Sequence, residues 1–145
     1  MADIERTGTA VWTGSLREGK GTLSVESAAL RDEAYSFGTR FEDGPGTNPE
    51  ELIGAAHAGC YSMALANVLH QEGYEVEGLE TTATVHLEKT EGGFAITKSA
   101  LEVQGRVPDL DQETFEQLAE KADAACPVSN LLRPGLEIEI EAMLA

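Results

Sequence analysis

Positive charge is scarce in this sequence: 10 Lys and Arg stand against 26 Asp and Glu, a net charge of −16. Phosphate binding needs clustered cations, so the balance argues against a nucleic-acid partner. The same repulsion argues against docking on an anionic membrane, and the acidity reads as a solubility device. Cysteine is scarce too. Two thiols, Cys60 and Cys126, are too few for a disulfide scaffold. The opening Met1-Ala2-Asp3-Ile4-Glu5-Arg6 lacks a basic segment followed by an apolar one. No signal peptide is expected, and the cytoplasm is the default location. No membrane span is expected either. Leu52 to Leu69 nearly reaches that length but is rich in Ala and Gly, includes His57, Ser62 and Asn67, and has no basic flank. It reads as a buried helix. The three histidines, His57, His70 and His86, do not make a metal site. His57 lies one turn from Cys60, but no second pair of ligands stands near. Gly-rich phosphate loops, Ser nucleophile elbows and dinucleotide fingerprints are absent.

What remains is an ordinary soluble composition, 41% hydrophobic and 25% charged, over 145 residues. That is enough for one domain with a real core, 1–145, and no linker divides it. The first third reads as short strands: Thr9 to Thr13, Thr22 to Ser27, and Ala34 to Phe41. Gly44-Pro45-Gly46 is a loop. A helix then starts, with Asn48 as cap, Pro49 at the first position and Glu51 completing a capping box. It runs to about Glu72, where Gly73 suits the stop. Apolar residues occur on all its faces, which predicts a central helix covered on most sides. A domain of this size can hardly cover such a helix alone, which predicts a homodimer. Leu79 to Leu87 and Phe94 to Val103 read as a hairpin around Glu91-Gly92-Gly93. Asp111 to Ala124 is amphipathic, with Phe115, Leu118, Ala119 and Ala122 at helical spacing. A short helix follows Cys126-Pro127 through Leu132, and Leu136 to Met143 alternates as a half-exposed strand. The order predicts an α+β fold with mainly antiparallel pairing.

Cys60 lies in the most apolar stretch of the chain. Read locally, it is either an inert core thiol or a nucleophile in a dry pocket. The second reading needs a cation, because an apolar setting disfavours the thiolate. Arg40, in Thr39-Arg40-Phe41-Glu42, is the best candidate, and Arg17 a weaker one. Cys126 precedes Pro127 at an N-cap-like position, where unpaired amides favour a thiolate, but an ordinary packed thiol fits equally.

The run Thr39-Arg40-Phe41-Glu42, then Gly46-Thr47-Asn48-Pro49-Glu50-Glu51-Leu52-Ile53-Gly54-Ala55-Ala56-His57-Ala58-Gly59-Cys60-Tyr61-Ser62-Met63-Ala64-Leu65, closely resembles the osmotically inducible protein C (OsmC) family. Ala125-Cys126-Pro127-Val128-Ser129 is similar to that family's second cysteine motif, and Gly92-Gly93-Phe94-Ala95-Ile96-Thr97-Lys98 also looks like it. The placement of Arg40 resembles the OsmC branch rather than the organic hydroperoxide resistance branch. The resemblance implies an OsmC-like fold, with antiparallel sheets around a long central buried helix in an intertwined homodimer. It implies a thiol-dependent peroxidase with the active site at the dimer interface. Cys60 would be the peroxidatic cysteine, Cys126 the resolving one, and Arg40 and Glu50 the activating pair. Organic hydroperoxides are the expected substrates, ahead of hydrogen peroxide. No metal or organic cofactor is needed, only an external dithiol such as a lipoyl or thioredoxin-like protein. The competing reading is a non-enzymatic stress protein that binds a small apolar ligand in a cleft around Cys60.

Overall fold

The computed structural model describes residues 3–145; Met1 and Ala2, where the search for a signal peptide begins, lie outside the described residues. The chain divides into two compact units, one ending at Pro49 and the other running Glu50–Ala145.

In the first unit, β1 (Gly8–Thr13), β2 (Lys20–Val25) and β3 (Glu33–Tyr35) form an antiparallel sheet in that order. Gly21 makes room for its aromatic neighbours. A Cβ there would meet the Trp12 and Tyr35 rings and the Val11 carbonyl. The two rings instead close to 5.3 Å between centroids. The aromatic run Ala34 to Phe41 predicts one strand, but the strand ends at Tyr35 and α1 (Phe37–Phe41) follows. The reason is local. The Ser36 hydroxyl accepts the Thr39 N–H, and the Thr39 hydroxyl accepts the Ser36 N–H. This reciprocal capping box satisfies two helix-start amides and overrides the strand preference of the aromatics. Phe37 and Phe41 then meet one turn apart, centroids 4.8 Å.

The second unit contains α2 (Pro49–Gln71), β4 (Gly78–Thr90), β5 (Gly93–Arg106), α3 (Gln112–Ala125), α4 (Pro127–Leu132) and β6 (Glu137–Leu144). Helix α2 starts at Pro49 as expected and ends in a Schellman turn: Tyr74 N–H bonds the Leu69 carbonyl and Gly73 N–H the His70 carbonyl. Gly73 takes the left-handed φ of +89° that this turn demands. Strands β4 and β5 pair antiparallel around a tight turn, and β6 joins the other edge of β5 in parallel. A parallel partner needs a long crossover, which α3 and α4 supply. The core is built from Tyr61, Leu65 and Leu69 of α2, Leu101 and Val103 of β5, and Phe115 of α3. The predicted stripe of α3, Phe115, Leu118, Ala119 and Ala122, is the buried one.

The surface of α2 is divided. Gly54, His57, Tyr61, Leu65, Val68 and Leu69 are buried. Ala55, Ala56, Gly59 and Met63 are exposed, Met63 to 76%. By length and a mean hydropathy of 1.3 this helix could cross a membrane, yet one stripe of it is the core of its own unit. A Cβ at Gly54 would lie 3.0 Å from the Ala83 carbonyl, so glycine sets how closely α2 approaches β4.

Candidate active site

Cys60 lies mid-way along α2 and is half-buried, while Cys126 is fully buried. Cys126 is the single residue between α3 and α4, closing one helix and capping the next. It is 66 residues from Cys60 in sequence, yet the two sulfurs are 3.4 Å apart and both thiols are free. Ser129 N–H donates to Cys126 Sγ at 3.4 Å, so the sulfur serves as the N-cap acceptor of α4. Burial pushes the Cys60 thiol above its ordinary range, a backbone hydrogen bond from Val128 pulls it down, and Cys126 pushes it up again. The net direction is up, so Cys60 is a thiol at neutral pH unless a cation joins it.

One turn before Cys60, His57 is wholly buried. Its Nδ1 is 2.7 Å from Ser99 Oγ and its Nε2 is 2.7 Å from Ser129 Oγ. Both serines are also fully buried. Desolvation lowers the imidazole pKa, Asp123 raises it and Arg133 lowers it, with a net fall, so the ring is neutral at pH 7. A neutral ring donates to one hydroxyl and accepts from the other, which satisfies both nitrogens. In the sequence His57 stands out as a neighbour of Cys60, a weak metal-ligand candidate or part of a pocket wall, and neither Ser99 nor Ser129 is singled out. Ser99 carried a signal: it shares the inward face of β5 with Leu101 and Val103, where a hydroxyl needs a partner. Among the described residues no group of three or more His, Cys, Asp or Glu side chains is placed to hold a metal ion.

Glu50 is buried in the first turn of α2. Ten residues of helix separate it from Cys60, roughly 15 Å along the axis, so it does not reach the thiol of its own chain. Arg40 belongs to the first unit, on α1, with its guanidinium 5.3 Å from the Phe41 ring centroid. It lines a cavity of about 290 Å³ with Trp12, Leu16, Tyr35, Phe37 and Phe41. Arg40 thus lines a pocket whose walls include four aromatic rings. The structure therefore brings Cys60 and Cys126 together, sets Glu50 roughly 15 Å along the helix from Cys60, and places Arg40 in the other unit.

The family of OsmC-like proteins matches residues 42–141. This chain belongs to the OsmC family. Among curated relatives of this OsmC-family chain, Peroxiredoxin OsmC of Escherichia coli (strain K12) is 48% identical over 138 residues, covering 95% of this chain and 96% of that protein. Organic hydroperoxide resistance protein OhrB of Bacillus subtilis (strain 168) is 30% identical over 122 residues, 83% of this chain and 88% of that protein. The crystal structure of that OhrB superposes with a TM-score of 0.74 at 28% identity, covering 94% of this chain and 97% of the other. The α+β architecture, with its two small sheets, is thus that of solved OsmC and organic hydroperoxide resistance proteins.

Proposed function

We propose that this OsmC-family chain reduces organic hydroperoxides to alcohols, with Cys60 as the peroxidatic thiol and Cys126 as the resolving one. Family membership and the 48% identity with a peroxiredoxin make the chain a peroxidase. The observation that carries the finer reading is the 3.4 Å between two free sulfurs on elements far apart in sequence. Cys60 as thiolate attacks the distal peroxide oxygen; the O–O bond breaks, the alkoxide takes a proton, and Cys60 becomes a sulfenic acid. The Cys126 sulfur then attacks the Cys60 sulfur. An S–S bond forms, the S–O bond breaks, and the hydroxide leaves as water with the Cys126 proton. An external dithiol reopens the disulfide by exchange and is itself oxidised. Its identity as a lipoyl or thioredoxin-like protein is part of the proposal. No metal or organic cofactor enters.

Arg40 lowers the Cys60 pKa and holds the peroxide, and Glu50 orients its guanidinium. The supports are the resemblance around Thr39-Arg40-Phe41-Glu42 and the need of Cys60 for a cation. The two units act as one domain over 1–145, and two copies pair as a homodimer in the cytoplasm. The exposed Ala55, Ala56, Gly59 and Met63 stripe of α2 supports the pairing, since it is apolar and without charge. The test is thiol consumption by cumene hydroperoxide in the wild type and Cys60→Ser, with intact mass after oxidation. The wild type loses two hydrogens, regained with dithiothreitol, and the variant loses none. A Cys60→Ser protein that consumes peroxide as fast as wild type refutes the assignment.

A further inference from the structure

Three wholly buried polar side chains from three separate elements converge beside the sulfurs: His57 of α2, Ser99 of β5 and Ser129 of α4. They are 42 and 72 residues apart along the chain, and each contact is 2.7 Å. Polar groups so buried are unfavourable unless each finds a partner, so the three hold one another in place. Helix α4 has only six residues, too few to be stable by itself. Its first turn carries Ser129, whose hydroxyl meets His57 while its own N–H donates to Cys126 Sγ. The same turn supplies the Val128 backbone hydrogen bond to Cys60. His57 is one turn from Cys60 on the same helix. The helix that presents one sulfur therefore grips, through His57 and Ser129, the turn that presents the other.

We propose that His57 is a positioning residue for Cys126: through Ser129 it fixes the first turn of α4 and sets the rate at which Cys126 captures oxidised Cys60. This rests on the reading of Cys60 as peroxidatic and Cys126 as resolving. The bond formed is S–S, the bond broken is the S–O of the sulfenic acid, and water leaves. Displacement of a reacting atom by about 1 Å can cost about a hundredfold in rate. The step that depends on the Cys126 position is therefore the one that suffers. Ser99 holds the far side of the imidazole and stays one bond further from the sulfur.

The experiment uses full-length Ser129→Ala, Ser129→Thr and Ser99→Ala beside wild type, mixed rapidly with cumene hydroperoxide. Sulfenic acid formation and disulfide formation are followed separately by quenched-flow mass spectrometry. Ser129→Ala is expected to slow disulfide formation at least about tenfold while first oxidation changes less than about threefold. Its Cys60 then gains two oxygens at peroxide concentrations that leave wild type as disulfide. Ser129→Thr, which keeps the hydroxyl, restores resolution, and Ser99→Ala falls between. The proposal is overturned if Ser129→Ala resolves at the wild-type rate, or if both steps slow by the same factor. A wild type that forms no sulfenic acid or no disulfide overturns the underlying reading instead, so the two failures are distinguishable.

Discussion

Closing the Cys60–Cys126 bond should stabilise the protein by an amount the structure fixes. The bond would close a loop between positions 66 residues apart. Restricting the unfolded chain over such a loop contributes about 4 kcal/mol. Two costs oppose it. The sulfurs move from 3.4 Å to about 2.05 Å. Cys126 Sγ also becomes a poorer acceptor for the Ser129 N–H, and loss of that cap costs about 1 kcal/mol. The net is about 3 kcal/mol. With a urea dependence of about 2 kcal/mol per molar, the midpoint rises by roughly 1.5 M. The assay is urea unfolding of fully oxidised and fully reduced protein at one protein concentration, with intact mass establishing the redox state. Cys126→Ser controls for other oxidation and should show no such rise. Equal midpoints, or a less stable oxidised form, would refute the claim that the native fold presents the two sulfurs ready to join.

Arg40→Ala should shift the pH profile of Cys60 alkylation upward and slow first oxidation about a hundredfold or more, with little change in urea midpoint; an unchanged profile moves the role to Arg17 or to backbone amides. Met63 is 76% exposed, so Met63→Glu should alter monomer stability by less than about 0.5 kcal/mol. Light scattering should nonetheless show the wild type as dimer and the variant as monomer, and a monomeric wild type with full activity would sink the shared-site idea. The folded pKa of His57 is lowered, chiefly by burial, against the opposing pull of Asp123. The unfolded chain therefore binds the extra proton first, and stability that is complete above the ordinary histidine pKa is lost as pH falls below it, by at most about 1.4 kcal/mol per pH unit. His57→Gln should flatten that slope in urea melts recorded at a series of pH values. Organic hydroperoxides should exceed hydrogen peroxide in kcat/KM by around a hundredfold, because three or four buried carbons gain about 0.8 kcal/mol each; equal values with one dithiol reductant would remove any role for an apolar pocket.

How much of this was legible in the sequence varied with the physics of each element. Helix α3 and β6 declare themselves by period. The four apolar residues of α3 recur at helical spacing, and Ile138 and Ile140 alternate with Glu137, Glu139 and Glu141. Gly73 marks the end of α2 because only a left-handed residue closes that turn. Helix α1 was hidden, since its aromatics favour a strand and the decision lies in two hydroxyls three residues apart. The parallel direction of β6 depends on its crossover, which no local pattern encodes. Ala and Gly look alike in a core and on an interface stripe, so the division of α2 into buried and exposed faces was not readable. The proximity of the sulfurs came from the resemblance rather than from spacing, and the His57 network joins three segments that no short motif connects. Glu50 reads locally as a helix-start carboxylate, and only the resemblance suggests more.

The charge balance around Cys60 bears on where its activating cation arises. Burial and Cys126 both raise the thiol pKa, and the Val128 amide is the opposing influence. Of the two opposing influences, desolvation is the larger. A cation about 4 Å away contributes about 4 kcal/mol at an effective dielectric near 20, equivalent to about three pKa units. A contribution of that size strongly favours the thiolate. From residue 50 onward the cations are Lys89, Lys98, Arg106, Lys121 and Arg133, of which Lys98 is paired with Glu139, Lys121 with Glu72 and Arg133 with Asp123. The net charge of −16 adds a general field against any further anion. In the proposed reading the activating charge is Arg40, before residue 50, in the same chain or in a second copy. Arg40 is the guanidinium there that already lines an aromatic cavity fit for an alkyl or aryl group. In the proposed reading two requirements, a cation for the sulfur and an apolar wall for the substrate, meet in one segment of the sequence.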